Sequence, residues 1–213
     1  MRDRVFGKSA KSLTDLELLE TFFYQSNPRG DTKPIAKRLM HRLRTLAGVL
    51  SAPVEKFQEV EQVGQATIVA IKVTEAAALH LSHSRIKNQP VLSNWMHVQD
   101  YCINRLAHKP VEHFVILCLD SQNQLIGEET ISIGTINQTA VYPREVVNAA
   151  LEHQAQSVTL VHNHPSGEAK TPRTDIAVTR DIEKALTVMG MTLHDHHIIA
   201  DITCVSFESL GQL

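Results

Sequence analysis

Ser157-Val158-Thr159-Leu160-Val161-His162-Asn163-His164-Pro165-Ser166-Gly167 is an apolar run that closes on two histidines and a turn, and Asp175 follows eleven residues after the second histidine. The run predicts a short strand through His162, which Pro165 and Gly167 then break. In extended backbone, residues i and i+2 face one side, so His162 and His164 present both rings to one point while Asn163 faces away. A helix predicted from about Arg173 carries Asp175 near its start. Two imidazoles and a carboxylate from a strand end and a rigid helix can hold one metal ion and leave a coordination position free, the layout of a catalytic rather than a structural site. His162, His164 and Asp175 are therefore the candidate metal ligands of a candidate metallohydrolase.

The flanking sequence alternates strands and helices. Trp95 to Leu106 reads as a helix. His113 to Leu119 and Leu125 to Ile133 read as strands joined by the turn Asp120-Ser121-Gln122-Asn123. Pro143 suits a helix start, with Val146, Val147, Ala150 and Leu151 on one face. The helix after Arg173 buries Val178, Ile182, Ala185, Leu186 and Met189 and stops at Gly190. Strands follow from Met191 through Ile199 and from Thr203 to Phe207, an order suited to a mixed sheet covered by helices.

Toward the N-terminus the pattern is helical. Thr14 can cap a helix, with Glu17 reaching back and Leu13 stapling the first turn. Pro34 starts a second segment through Leu39, Leu43 and Leu46, and further helices are predicted around Val54 to Val60 and from Thr67 to about His83. Between these last two lies Val60-Glu61-Gln62-Val63-Gly64-Gln65-Ala66-Thr67, which resembles a helix-hairpin-helix, an element that offers backbone N–H groups to phosphate. The usual first glycine of that element is Gln62 here. The character changes at Ile86-Lys87-Asn88-Gln89-Pro90, so residues 1–88 are expected to form a helical domain and residues 91–213 an α/β domain.

Composition sets wider bounds. The chain has 213 residues, 43% of them apolar, and a formal charge of −2, ordinary for a soluble globular protein. Residues 1–90 carry 14 Lys+Arg against 9 Asp+Glu, a net +5, and residues 91–213 carry 7 against 14, a net −7. A basic module thus precedes an acidic one, and the first reads either as a surface that contacts DNA or as a solvated Lys/Arg-rich helical face. No apolar run reaches the length of a membrane span, and Met1 to Lys8 lacks the apolar core of a signal peptide, so no membrane partner and a cytoplasmic location are expected. Cys102, Cys118 and Cys204 show no paired spacing and read as buried filler.

Beyond the motif, the chain resembles the JAMM (MPN+) metalloprotease domain, and more closely the RadC-like proteins that carry one. The resemblance runs from Leu13-Thr14-Asp15-Leu16-Glu17-Leu18-Leu19 through Gly134-Thr135-Ile136-Asn137-Gln138-Thr139 and Tyr142-Pro143-Arg144-Glu145-Val146 to Asp195-His196-His197-Ile198-Ile199. It implies a small helix-hairpin-helix-like domain followed by a mixed-sheet, cytidine-deaminase-like α/β domain. It also implies one Zn²⁺ per chain on His162, His164 and Asp175, a peptide or protein substrate, and Glu112, just before the first core strand, as general base. Glu128 and Glu129 are the rival carboxylates, placed within a later strand.

One position departs from the family. JAMM domains carry a serine eight residues after the second histidine, where its hydroxyl supports the oxyanion; here Pro172 stands there, with Thr171 beside it and Ser166 in the preceding turn. Loss of one such donor costs roughly 10²–10³ in rate in a hydrolase. Alternation along a strand keeps His194, His196 and His197 from all joining one site, and His196 is read as a structural residue or as one that supports a ligand from behind. His80 and His83 are read as a solvated helix face. The expected activity is zinc-dependent hydrolysis of amide bonds. The alternative is a DNA-associated accessory protein with a non-catalytic metal site.

Overall fold

The computed structural model describes residues 4, 7, 10–28, 30–87, 89–91, 95–134 and 140–213. Of the stretches that carried the resemblance, residues 135–139 lie outside the described residues. The chain is mixed α/β, helical in its N-terminal part and built on a five-stranded sheet in its C-terminal part. Contacts divide it into two units, residues 1–78 and 79–213. No helix among the described residues is long and apolar enough to cross a membrane.

The first unit contains α1 (Asp15–Phe22), α2 (Lys33–Leu43), α3 (Leu46–Ser51), α4 (Val54–Gln58) and the first turns of α5 (Gln65–Ile86). Thr14 caps α1 as the sequence predicts: Glu17 N–H donates to Thr14 Oγ1 (3.3 Å) and Thr14 N–H donates to Glu17 Oε2 (2.9 Å). Leu19, Phe23, Leu39, Val49, Phe57 and Ile71 form its core. Leu46 was expected to continue α2. It instead opens α3, because Arg44 turns left-handed (φ 68°) and the Thr45 hydroxyl caps the new helix at Gly48 N–H. In the hairpin before α5, Gln62 takes φ 65°. It holds the backbone conformation that favours glycine.

The second unit takes the last turns of α5, earlier than the change of sequence character at residues 86–90. Ile86 belongs to its core, and Lys87 and Pro90 bridge Leu125 and Gln124. It continues with α6 (Trp95–Leu106), β1 (His113–Leu119), β2 (Leu125–Ile133), α7 (Pro143–Glu152), β3 (Ser157–Asn163), α8 (Arg173–Val188), β4 (Thr192–Ala200) and β5 (Thr203–Ser206). The strand order is β2-β1-β3-β4-β5. β3 and β4 are parallel, and the other three pairs are antiparallel.

β1 is apolar at every position from Phe114 to Leu119 because its two faces enter two different cores. Val115, Leu117 and Leu119 pack with Val98, Tyr101, Cys102 and Leu106 of α6. Phe114, Ile116 and Cys118 pack with Val146 and Ala150 of α7 and Ile182 and Leu186 of α8. Strands buried on both faces lose the apolar/polar alternation of a one-sided sheet. α8 ends as predicted, with Gly190 at φ 75° and Met191 N–H returning to Leu186 O (2.9 Å). Burial pushes the Cys118 and Cys204 thiols each up to about 12, and Cys102 further, so all three stay protonated at neutral pH.

Leu160 is fully buried in the core under α7 and α8, whereas Val188 is 84% exposed. Leu160→Ala is expected to cost about 2–5 kcal/mol and Val188→Ala less than about 0.5 kcal/mol. Urea unfolding of both variants checks the contrast, and equal costs would contradict this placement of the core.

Candidate metal centre

The alternation along β3 decides which groups reach the site. Val158, Leu160 and His162 face α7 and α8, while Val161 faces α6. β3 is buried along its whole length, so the His162 ring leaves the sheet already confined, stacked on Phe114 with 5.8 Å between ring centroids. His164 lies one step past the strand. Its N–H donates to Ile199 O (2.8 Å) on β4, and Gly167 N–H returns to His164 O (3.0 Å), with Gly167 at φ 76°. That left-handed turn requires the glycine and sends the chain toward α8. Asp175 sits in the first turn of α8, where the helix dipole favours a carboxylate.

The structure brings these three side chains together. His162 Nε2 lies 3.0 Å from His164 Nε2 and 3.2 Å from Asp175 Oδ2, and His164 Nε2 lies 3.4 Å from the same oxygen. One donor atom from each falls within 4.8 Å of the others, a group able to hold a metal ion. His164 Nδ1 lies 2.9 Å from Glu168 O. A carbonyl only accepts, so Nδ1 carries a proton, and the neutral ring turns a bare Nε2 inward. Two imidazoles and a carboxylate packed this closely leave more acceptors than protons, and a divalent cation satisfies all three. The residues present therefore fit the metal.

Glu112 lines the same cleft, of about 440 Å³, together with His162, His164, Asp175, Pro172 and Thr174. Its backbone is held from two sides. Gly134 N–H donates to Glu112 O (2.8 Å). Asn163, turned away from the histidines, accepts from His113 N–H (2.8 Å) and donates to Val111 O (3.2 Å). The residue between the two histidines thus anchors the segment that carries the candidate base, a role that only the pairing of β3 with β1 exposes. Glu128 is engaged elsewhere by Tyr101 and Arg105, and Glu129 faces His153 (3.6 Å).

Pro172 occupies the N-cap of α8 and supplies no side-chain hydrogen bond. Thr171, the hydroxyl next to it in the sequence, lies outside the cleft lining and accepts from Gln212 Nε2 (2.9 Å). Thr174 lines the cleft instead, its hydroxyl 3.4 Å from Asp175 Oδ1. Sequence spacing did not single it out, because only the first turn of α8 brings position 174 round to the cleft. His196 and His197 face opposite sides as alternation requires, and a register shift between β3 and β4 that skips position 194 separates His194 from His196. His197 stacks on Trp95 (4.0 Å) and His194 meets Asn123 (2.7 Å), but His196 reaches His162.

Burial alone would lower the pKa of His164. Its hydrogen bonds with Asp175 and the Glu168 carbonyl, and the charges of Asp175 and Glu112, outweigh that and raise it above the ordinary 6.5. Before a metal binds, the extra proton stabilises the fold fully below that ordinary value, and the contribution is lost as pH rises through the raised one. A metal must displace this proton. Zinc affinity of the metal-free protein is therefore expected to fall as pH drops through the raised pKa, with proton release on binding. Calorimetry in buffers of different ionisation enthalpy measures the release, and a pH-independent affinity would contradict the arrangement.

Comparison with known proteins gives the family. The family model of the RadC-like JAB domain matches residues 92–212. A UPF0758 protein of Rhodobacter capsulatus is 42% identical over 213 residues, spanning 100% of both chains. A UPF0758 protein of Ruegeria pomeroyi is 41% identical over 213 residues, spanning 100% of this chain and 95% of the relative. With its sheet, its His-Asn-His strand end and full-length likeness to these relatives, the chain belongs to the RadC-like JAB domain family.

Proposed function

We propose that the protein is a zinc-dependent hydrolase of amide bonds, a metallopeptidase whose ion is held by His162, His164 and Asp175. The observation that carries this reading is the convergence of three ligand atoms within 3.0–3.4 Å on the wall of a cleft that Glu112 also lines. When bound, zinc supplies Lewis acidity, which polarises the amide carbonyl and makes water acidic enough to attack near neutral pH. Glu112 takes a proton from the attacking water at its carboxylate and returns it to the leaving amine nitrogen. Phe114 and Val141 form an apolar wall that limits water around the scissile group. Thr174 is the side-chain hydroxyl lining the cleft beside Pro172 and replaces the family serine as oxyanion donor.

Glu112→Gln is expected to retain about one zinc per chain and to lose turnover on a peptide-library screen by roughly 10²-fold or more. His162→Ala should lose metal and activity together. Elemental analysis alongside the screen distinguishes the two, and a fully active Glu112→Gln protein would remove the base assignment.

A second reading concerns residues 1–88, for which we propose contact with DNA backbone. Gln62 takes the glycine-like turn, and exposed Lys37 lines a surface cleft with Arg38, His41 and Arg42. Arg38 is engaged by Gln62 and Arg42 by Glu59, which reduces the charge free for phosphate. Fluorescence anisotropy with labelled duplex should show binding that weakens as salt rises and with Lys37→Glu. Absent or salt-insensitive binding would end this reading.

A further inference from the structure

We infer that Thr179 and His196 are positioning residues, a two-step relay of ordered protons that sets the tautomer of His162 and keeps its Nε2 bare for a metal. The inference rests on the metal reading of the site above and assigns to two buried side chains a task that packing does not require.

The relay is read from the direction of each hydrogen bond. Thr179, on α8 one turn after Asp175, has its Oγ1 2.5 Å from Asp175 O. Two oxygens that close need a proton between them, and a carbonyl has none to give, so the Thr179 hydroxyl donates. Its only proton is then committed. His196 Nδ1 lies 2.6 Å from the same Oγ1, so His196 donates and Thr179 accepts. His196 is 0% exposed, and its two nitrogens meet a hydroxyl and an imidazole, neither of them anionic. A charged ring would be costly there, so His196 is neutral. With its proton on Nδ1, its Nε2 carries a lone pair. His162 Nδ1 lies 2.8 Å from that Nε2 and must donate. A neutral His162 with its proton on Nδ1 presents an unprotonated Nε2 to His164 and Asp175.

The reverse order would leave Thr179 Oγ1 and Asp175 O facing each other without a proton at 2.5 Å. It would also put a proton on His162 Nε2, which blocks ligation. The chain of bonds begins and ends on ligands, running from the backbone of Asp175 through Thr179 and His196 to the ring of His162. It thereby ties the ligand on α8 to the ligand on β3 through a residue of β4. Partners of this kind typically change metal affinity by about 10–100-fold when removed, because they fix ring orientation and tautomer.

Long-range proton–nitrogen NMR of the full-length protein, stripped of metal and held at mildly alkaline pH, reads the tautomer directly, with His162 assigned by comparison with His162→Ala. The expected result is His162 protonated on Nδ1. A folded protein with His162 protonated on Nε2 would overturn the relay, whatever the variants do. Competition titration with a zinc chelator provides the second measurement. Thr179→Val, which keeps shape and removes the hydroxyl, should weaken zinc binding about 10–100-fold, and Thr179→Ser should restore it. Wild-type affinity in a folded Thr179→Val protein would equally overturn the proposal. A wild-type chain that binds no zinc but shows Nδ1–H at His162 would refute the metal reading and leave the proton order standing.

Discussion

Two imidazole nitrogens and a carboxylate oxygen held within 3.0–3.4 Å of one another form a cluster that repels itself unless a proton or a cation lies among them. Relaxing apart would cost little if these groups sat on loops. Here it is opposed by the whole C-terminal unit. β3 is buried from end to end between its antiparallel partner β1 and its parallel partner β4. α8 packs its Ile182 and Leu186 against the same sheet that carries His162. The packing of a two-faced core thus holds the three side chains together, close enough to take up one metal ion.

Two faces of one sheet also divide the labour among polar side chains. On the side of α7 and α8 lie His162 and His196, which point toward Asp175 and Thr179. On the side of α6 lie Val161 and His197, the latter stacked against Trp95. Asn163 turns from the ligands and braces the segment from Lys109 to His113, and so the backbone of Glu112. A register slip of one residue in β3 would exchange the two sets and dismantle both the ligand cluster and the anchor of the candidate base.

The resemblance to JAMM domains implies a serine at position 172, where proline stands. The position is the N-cap of α8, so a serine there would lie beside the ligand on the first turn. Proline keeps the helix start, with its preset φ of −59°, and gives up the hydroxyl. Thr174 places a hydroxyl on the same first turn facing the same cleft. In the helical unit Gln62 takes a positive φ of 65° despite its Cβ.

Much of this was legible in the amino-acid sequence, because its signals are local. The i, i+2 spacing of His162 and His164, the break at Pro165 and Gly167, the cap at Thr14 and the stop at Gly190 each depend on backbone preferences that neighbours a few residues away decide. Alternation likewise predicted that the histidines of β4 could not share one site. What escaped it depends on partners distant in the chain. That Asn163 braces the backbone on both sides of Glu112 and that His196 meets His162 across 34 residues follow from which strand lies beside which, and that Thr174 rather than Thr171 lines the cleft follows from the first turn of α8. The sequence leaves His196 open between a structural residue and one that supports a ligand, because a strand's period assigns a side chain to a face without saying what stands opposite. Only the parallel pairing of β3 with β4, and the helix laid over both, sets that ring between a ligand and a hydroxyl.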